Sequence, residues 1–160
     1  MTFVLDASTL INLANGEVLA AVLATTNTRF LISSAVRRES KSIAHAVDAA
    51  VASGQLGLVD DNLIPVSLFQ RMQTALKLGE GETECLIAAA SLNCGLACDD
   101  GAAREAAAKD LGPDRVIGSL RLLQMACRAG TLSASQAENG YRLMIARGGF
   151  LPPLPKGYFQ

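Results

Sequence analysis

The sequence predicts an α/β fold, a three-layer α/β/α domain around a short central parallel sheet, and three observations lead there. Short apolar runs of strand length alternate with longer segments of helical period, the pattern of strands joined by covering helices. Carboxylates fall at the ends of those apolar segments and not along solvated faces. The chain has 160 residues, half of them apolar and 18% charged. That is enough for one domain with a substantial core and too little for two.

Phe3–Leu5 reads as a buried strand that ends at Asp6, and Ala7–Ala14 continues as a helix with Leu10, Ile11 and Leu13 apolar. Glu17–Thr25 reads as a second helix and Arg29–Ile32 as the second strand. Ser33-Ser34 is an N-cap signal for a short helix carrying Val36, Arg37, Arg38 and Glu39. Ile43–Ser53 is an alanine-rich helix ending at Gly54, followed by a minor strand at Leu56–Val59. Pro65 opens a helix through Leu76. Gly79-Glu80-Gly81-Glu82 reads as a turn entering a helix over Thr83–Asn93, after which Gly95 leads into a strand at Leu96–Cys98. Ala102–Lys109 is helical, Arg115–Ile117 a short strand, and Ser119–Arg128 and Ala134–Ala146 the last helices. Residues 1–151 form the predicted domain, and 152–160 a proline-containing C-terminal tail.

Fourteen Lys and Arg balance fifteen Asp and Glu. Bulk charge therefore predicts no polyanion partner, and any such binding is local. No run approaches the ~18 apolar residues of a membrane span. The start, Met1-Thr2-Phe3-Val4-Leu5-Asp6, lacks the basic region of a secretory signal. Cys85, Cys94, Cys98 and Cys127 sit in apolar stretches without a CxxC array, and His45 is the one histidine. Buried free thiols in a reducing cytoplasm are expected, not a zinc site.

The chemistry is carried by Asp6, Glu39, Glu84 and the pair Asp99-Asp100. Burying an ionised carboxylate costs several kcal/mol unless something neutralises it. Converging acids at strand ends are a cage for a hard divalent cation. Each acid also has a plain reading. Asp6 and Asp100 are natural helix N-caps, Glu39 a surface residue, and Glu80, Glu82 and Glu84 favourable charges in a helix's first turn. On a regular helix, Glu82 would point away from the direction taken by Glu84. Ser8 and Asn12 lie one and two turns into the first helix and offer polar groups to the site, although Asn12 also reads as an exposed helix residue.

In order, Val4-Leu5-Asp6-Ala7-Ser8, Ser34-Ala35-Val36-Arg37-Arg38-Glu39, Gly79-Glu80-Gly81-Glu82-Thr83-Glu84-Cys85-Leu86-Ile87-Ala88 and Ala97-Cys98-Asp99-Asp100-Gly101-Ala102-Ala103-Arg104 resemble the successive motifs of PIN-domain proteins. With the Arg147-Gly148-Gly149-Phe150 ending, they resemble the branch near VapC-type toxin ribonucleases. The resemblance implies a Rossmann-like, Mg²⁺- or Mn²⁺-dependent endoribonuclease cleaving single-stranded RNA. It places Asp6, Glu39, Glu84 and Asp100 as the catalytic acids, and Asp6, Glu84, Asp99 and Asp100 around the metal. Ser8 and Glu82 have supporting roles. It implies for a toxin a small antitoxin partner and a homodimer. Glu84 stands where many members have Asp, and Cys98 where many have a hydroxyl.

Arg37, Arg38 and Arg104 neighbour site acids in sequence and are the expected phosphate contacts. Two Tyr and five Phe do not predict an aromatic platform for bases. A non-catalytic interaction module of the same fold is the alternative reading. A phosphatase using Asp6 as nucleophile lacks the second Asp of an Asp-x-Asp motif.

Overall fold

The structure, a computed structural model, describes all 160 residues. Five parallel strands, β1 (Thr2–Leu5), β2 (Arg29–Ile32), β3 (Leu56–Leu58), β4 (Gly95–Ala97) and β5 (Val116–Ile117), form one sheet in the order β3-β2-β1-β4-β5. Phe3 pairs with Phe30, Val4 with Leu96, Leu31 with Gly57 and Ala97 with Ile117. Nearly every residue of β1, β2 and β4 is buried. That explains why these strands read as continuous apolar runs, as expected of a parallel sheet covered on both faces.

The helices are α1 (Ala7–Asn15), α2 (Leu19–Leu23), α3 (Ser34–Glu39), α4 (Ala44–Ala52), α5 (Val66–Leu76), α6 (Glu80–Ser91), α7 (Gly101–Leu111), α8 (Ser119–Ala129) and α9 (Ala134–Ala146). α6 packs on β1 and β4 with α3, α5 and α7 beside it, while α1, α2, α8 and α9 pack among themselves. One continuous core joins the layers, from Val4, Leu5, Phe30 and Ile32 in the sheet to Leu86, Leu122 and Met144 on the helices.

One expectation is corrected. Gly79-Glu80-Gly81-Glu82 is not a turn before a helix starting at Thr83; it is the N-cap and first turn of α6. Glu82 stands at the third helical position and its Oε2 accepts the Gly79 N–H at 2.8 Å, which offsets the poor helix propensity of glycine. The proline-containing tail packs against the domain. Phe159 is buried in the core, Gln124 donates to Tyr158 O at 3.3 Å, and Tyr141 donates to Pro152 O at 3.0 Å. No helix is long and apolar enough to cross a membrane.

Candidate metal centre at the strand ends

The chain builds β1, β2 and β3 to one side, then returns past β1 to lay down β4 and β5. The carboxyl ends of β1 and β4 therefore flank the topological switch point, where open α/β sheets leave a crevice. Asp6 follows β1 and donates its backbone N–H to Ala97 O at 2.9 Å, stitching the two strand ends together. Cys98, Asp99 and Asp100 follow β4.

Asp6 does cap α1. Its Oδ2 accepts from Ser8 N at 3.2 Å, from Ser8 Oγ at 2.7 Å and from Cys98 Sγ at 3.5 Å. Capping uses only one oxygen. Oδ1 is buried and accepts nothing, on a residue only 3% exposed. A buried carboxylate oxygen without a donor costs free energy that a helix cap does not require. A cation bound to that oxygen would remove the cost.

The two neighbouring aspartates behave differently. Asp100 caps α7, accepting from Ala103 N at 2.9 Å, and its side chain is otherwise open to solvent. Both oxygens of Asp99 are engaged: Oδ2 accepts from Asn12 Nδ2 at 2.8 Å and from Ser119 Oγ, and Oδ1 from Ser119 N at 2.9 Å. Asp99 thus caps the start of α8 from outside that helix, and its own N–H donates to Ser8 Oγ at 3.1 Å. With its lone pairs directed at protein donors, Asp99 as it stands braces the strand end. Asn12 is buried, against the reading of an exposed helix residue. Ser119 was missed altogether. Its only sequence signal is a Gly-Ser pair at a strand-to-helix junction.

On the other side of the crevice, α3 and α6 hold each other by reciprocal carboxylates. Glu84 Oε2 accepts from Ala35 N at 2.9 Å in the first turn of α3, and Glu39 Oε1 accepts from Gly81 N at 2.9 Å in the first turn of α6. Each acid meets the positive end of the partner helix. A Cβ at Gly81 would lie 2.3 Å from Glu39 Oε2, so glycine is what lets this carboxylate reach the backbone.

Glu82 does not face away as expected. Curled back onto Gly79, it is held above its ordinary pKa, first by burial and then by the charges of Asp6, Asp100 and Glu39, while the Gly79 hydrogen bond acts in the opposite sense. The helix starts three residues earlier than predicted, and that brings Glu82 into the field of the other acids. Burial and the Asp6 charge likewise push the Cys98 thiol far above its ordinary range, so Cys98 is a neutral weak donor to Asp6.

Asp6, Asp100, Glu39 and Glu82 share one electrostatic field, with Glu84 close by on α6. As their side chains stand, no three acidic, His or Cys residues converge into a finished cage. Glu39, Glu82 and Glu84 each rest on a backbone N–H. The fit to a hard cation is carried by Asp6 Oδ1 and by an all-oxygen donor set.

Arg37 pairs with Asp48 and Arg38 with Glu80, on the surface. Exposed pairs of this kind contribute about 0–1 kcal/mol, so an incoming phosphate can displace either carboxylate. Arg104 makes no ion pair; its Nη1 donates to Cys98 O at 3.0 Å.

Residues 2–154 match the family model DUF3368, described as a PIN domain. No curated protein and no solved structure matches the chain.

Proposed function

Since the chain belongs to the PIN-domain family, whose members are generally nucleases that use divalent metal ions, we propose that it is an Mg²⁺- or Mn²⁺-dependent endoribonuclease cleaving single-stranded RNA. The observation that carries this reading is the unpartnered, buried Asp6 Oδ1 at the switch point, flanked by Asp100 and by the acids of α3 and α6.

Asp6 and Asp100 would hold the ion, with Glu84 able to join by releasing Ala35 N–H. Bound there, the ion would supply Lewis-acid stabilisation of charge developing on the phosphoryl oxygens. Ser8 fixes the Asp6 carboxylate through Oδ2, which leaves Oδ1 for the ion. Asp99, through Asn12 and Ser119, fixes the β4 end that presents Asp100. Glu39 and Glu82 sit where a carboxylate can orient the attacking water and accept its proton. Arg104, beside the β4 end and outside any ion pair, would meet a phosphate.

The motif resemblance to VapC-type proteins supports a cellular role as the toxin of a type II pair, with an antitoxin covering the acidic crevice and a homodimeric assembly. Co-expression with the product of any small adjacent reading frame, followed by loss of cleavage, tests that role.

The activity itself is tested by incubating the protein with a mixed single-stranded RNA pool in Mg²⁺, Mn²⁺ or EDTA, beside an Asp6→Asn/Asp100→Asn variant. Cleavage that needs metal and vanishes in the variant is expected. Cleavage that persists in EDTA or in the variant would overturn the reading.

A further inference from the structure

Beside Asp99 lies a groove of whose lining the chemistry above uses only Arg104. This cavity of about 580 Å³ lies between the end of β5, the start of α8 and the C-terminal segment, and its lining includes Arg104, Ile117, Leu120, Arg121 and Phe150. Two features bear on what it can hold.

The first is charge. All five ion pairs of the protein involve other cations. Arg104 donates only to a backbone carbonyl, and Arg121 only to the neutral Gln124 Oε1 at 3.1 Å. Two guanidinium groups thus line one groove without a direct ion pair, and the carboxylates of Asp99 and Asp114 share that lining.

The second is an aromatic ring in water. Phe150 is 98% exposed, the most exposed large apolar side chain of the molecule. The backbone that presents it is held by the turn before it. Gly148 takes a left-handed φ of +93°, and a Cβ at Gly149 would lie 2.8 Å from both Asn12 Oδ1 and Met144 O. Asn12 is the same residue that donates to Asp99. The segment presenting the ring is therefore tied to the brace beneath the acidic crevice.

We propose that this groove is a nucleotide subsite for the single-stranded RNA flanking the scissile phosphate, with Phe150 stacking on a base and Arg104 and Arg121 holding adjacent phosphates. The inference rests on the nuclease reading and extends it to the substrate's path. One ring bordered by guanidinium groups suits a base and its backbone, because stacking is tolerant of base identity and planar guanidinium groups match phosphate oxygens.

The test uses the full chain in EDTA, so that binding is read apart from cleavage. The probe is an eight-nucleotide single-stranded RNA carrying one 2-aminopurine, followed by anisotropy and by quenching of the aminopurine. Phe150→Ala, at a position with nothing packed on it to lose, is expected to weaken binding about tenfold and to abolish the quenching. Phe150→Trp should restore both and Phe150→Leu neither. Arg121→Gln should reduce the slope of log K against log salt by about 0.7, the value for one phosphate contact on a single strand.

Wild-type affinity and quenching in Phe150→Ala would overturn the subsite, and so would the absence of RNA binding by the unsubstituted protein. So would a change in self-association on sedimentation with RNA affinity unchanged, which would make the ring a contact between copies. If the wild-type protein cleaves RNA while Phe150→Ala binds normally, the subsite fails and the nuclease stands. Binding that depends on Phe150 without metal-dependent cleavage leaves the subsite and removes the nuclease.

Discussion

The two walls of the acidic crevice are built on opposite principles. On the β1/β4 wall, Asp6, Ser8, Asn12, Asp99 and Ser119 form an interlocked network in which nearly every lone pair has a donor and one oxygen, Asp6 Oδ1, has none. On the α3/α6 wall, Glu39, Glu82 and Glu84 each lean on a single backbone N–H and stay partly open to solvent. A fully satisfied network rigidifies its members, whereas a carboxylate held by one bond at a helix end can swing away at modest cost. The difference assigns the walls separate tasks. One wall fixes an oxygen in place, and the other supplies carboxylates that can adjust to an ion and a substrate.

Substitutions on the two walls should therefore fail in different ways. The largest effect is expected at Asp6. Asn is as good an N-cap as Asp and retains an oxygen for Ser8, so Asp6→Asn should change stability by no more than about 1 kcal/mol while lowering RNA cleavage about 100-fold or more. Unfolding in urea beside single-turnover cleavage separates the two, and an equal loss in both would erase the distinction between scaffold and ligand.

Next is Asp99→Ala, which strands the buried Asn12 amide and Ser119 N–H. It should cost about 3 kcal/mol, read as a lowered urea midpoint. If stability is kept and only cleavage falls, Asp99 is a ligand and not a brace.

Glu84→Ala removes the acceptor for Ala35 N–H on the adjustable wall. A loss of about 1 kcal/mol is expected, comparable to losing a helix cap. A much larger loss would mean that this wall is as rigid as the other.

The smallest effect concerns Glu82. Its folded pKa is raised, so the folded chain binds that proton more tightly than the unfolded chain does. The associated stability is fully present below the unfolded pKa and is lost as pH rises through the folded one. Relative to wild type, Glu82→Gln should therefore gain stability as pH rises from the acid range through Glu82's folded pKa. A pH-independent difference in urea midpoints would contradict the shared field of Glu82, Asp6, Asp100 and Glu39.

Much of this architecture was legible in the sequence because it depends on local pattern. The apolar strands at Phe3–Leu5 and Arg29–Ile32, the Ser33 cap and the acids at strand ends all announce themselves within a few residues. What stayed hidden depends on partners far along the chain. Asp99 and Asp100 are indistinguishable as neighbours in sequence. Only the fold brings Asn12 and Ser119, 87 and 20 residues away, to the first and leaves the second open. Glu82 was misdirected by two glycines that argue against a helix locally but are overruled by the Gly79–Glu82 cap. The prolines mark the tail as irregular, but only the fold shows Phe159 buried in the core.

The most direct test of the account is Mn²⁺ binding by calorimetry to the wild-type protein and to Asp6→Asn. The wild type should bind Mn²⁺, and Asp6→Asn should bind at least about 100-fold more weakly while remaining folded. Equal Mn²⁺ affinity in the two proteins would contradict the claim that the buried, unpartnered oxygen of Asp6 is the anchor of the site.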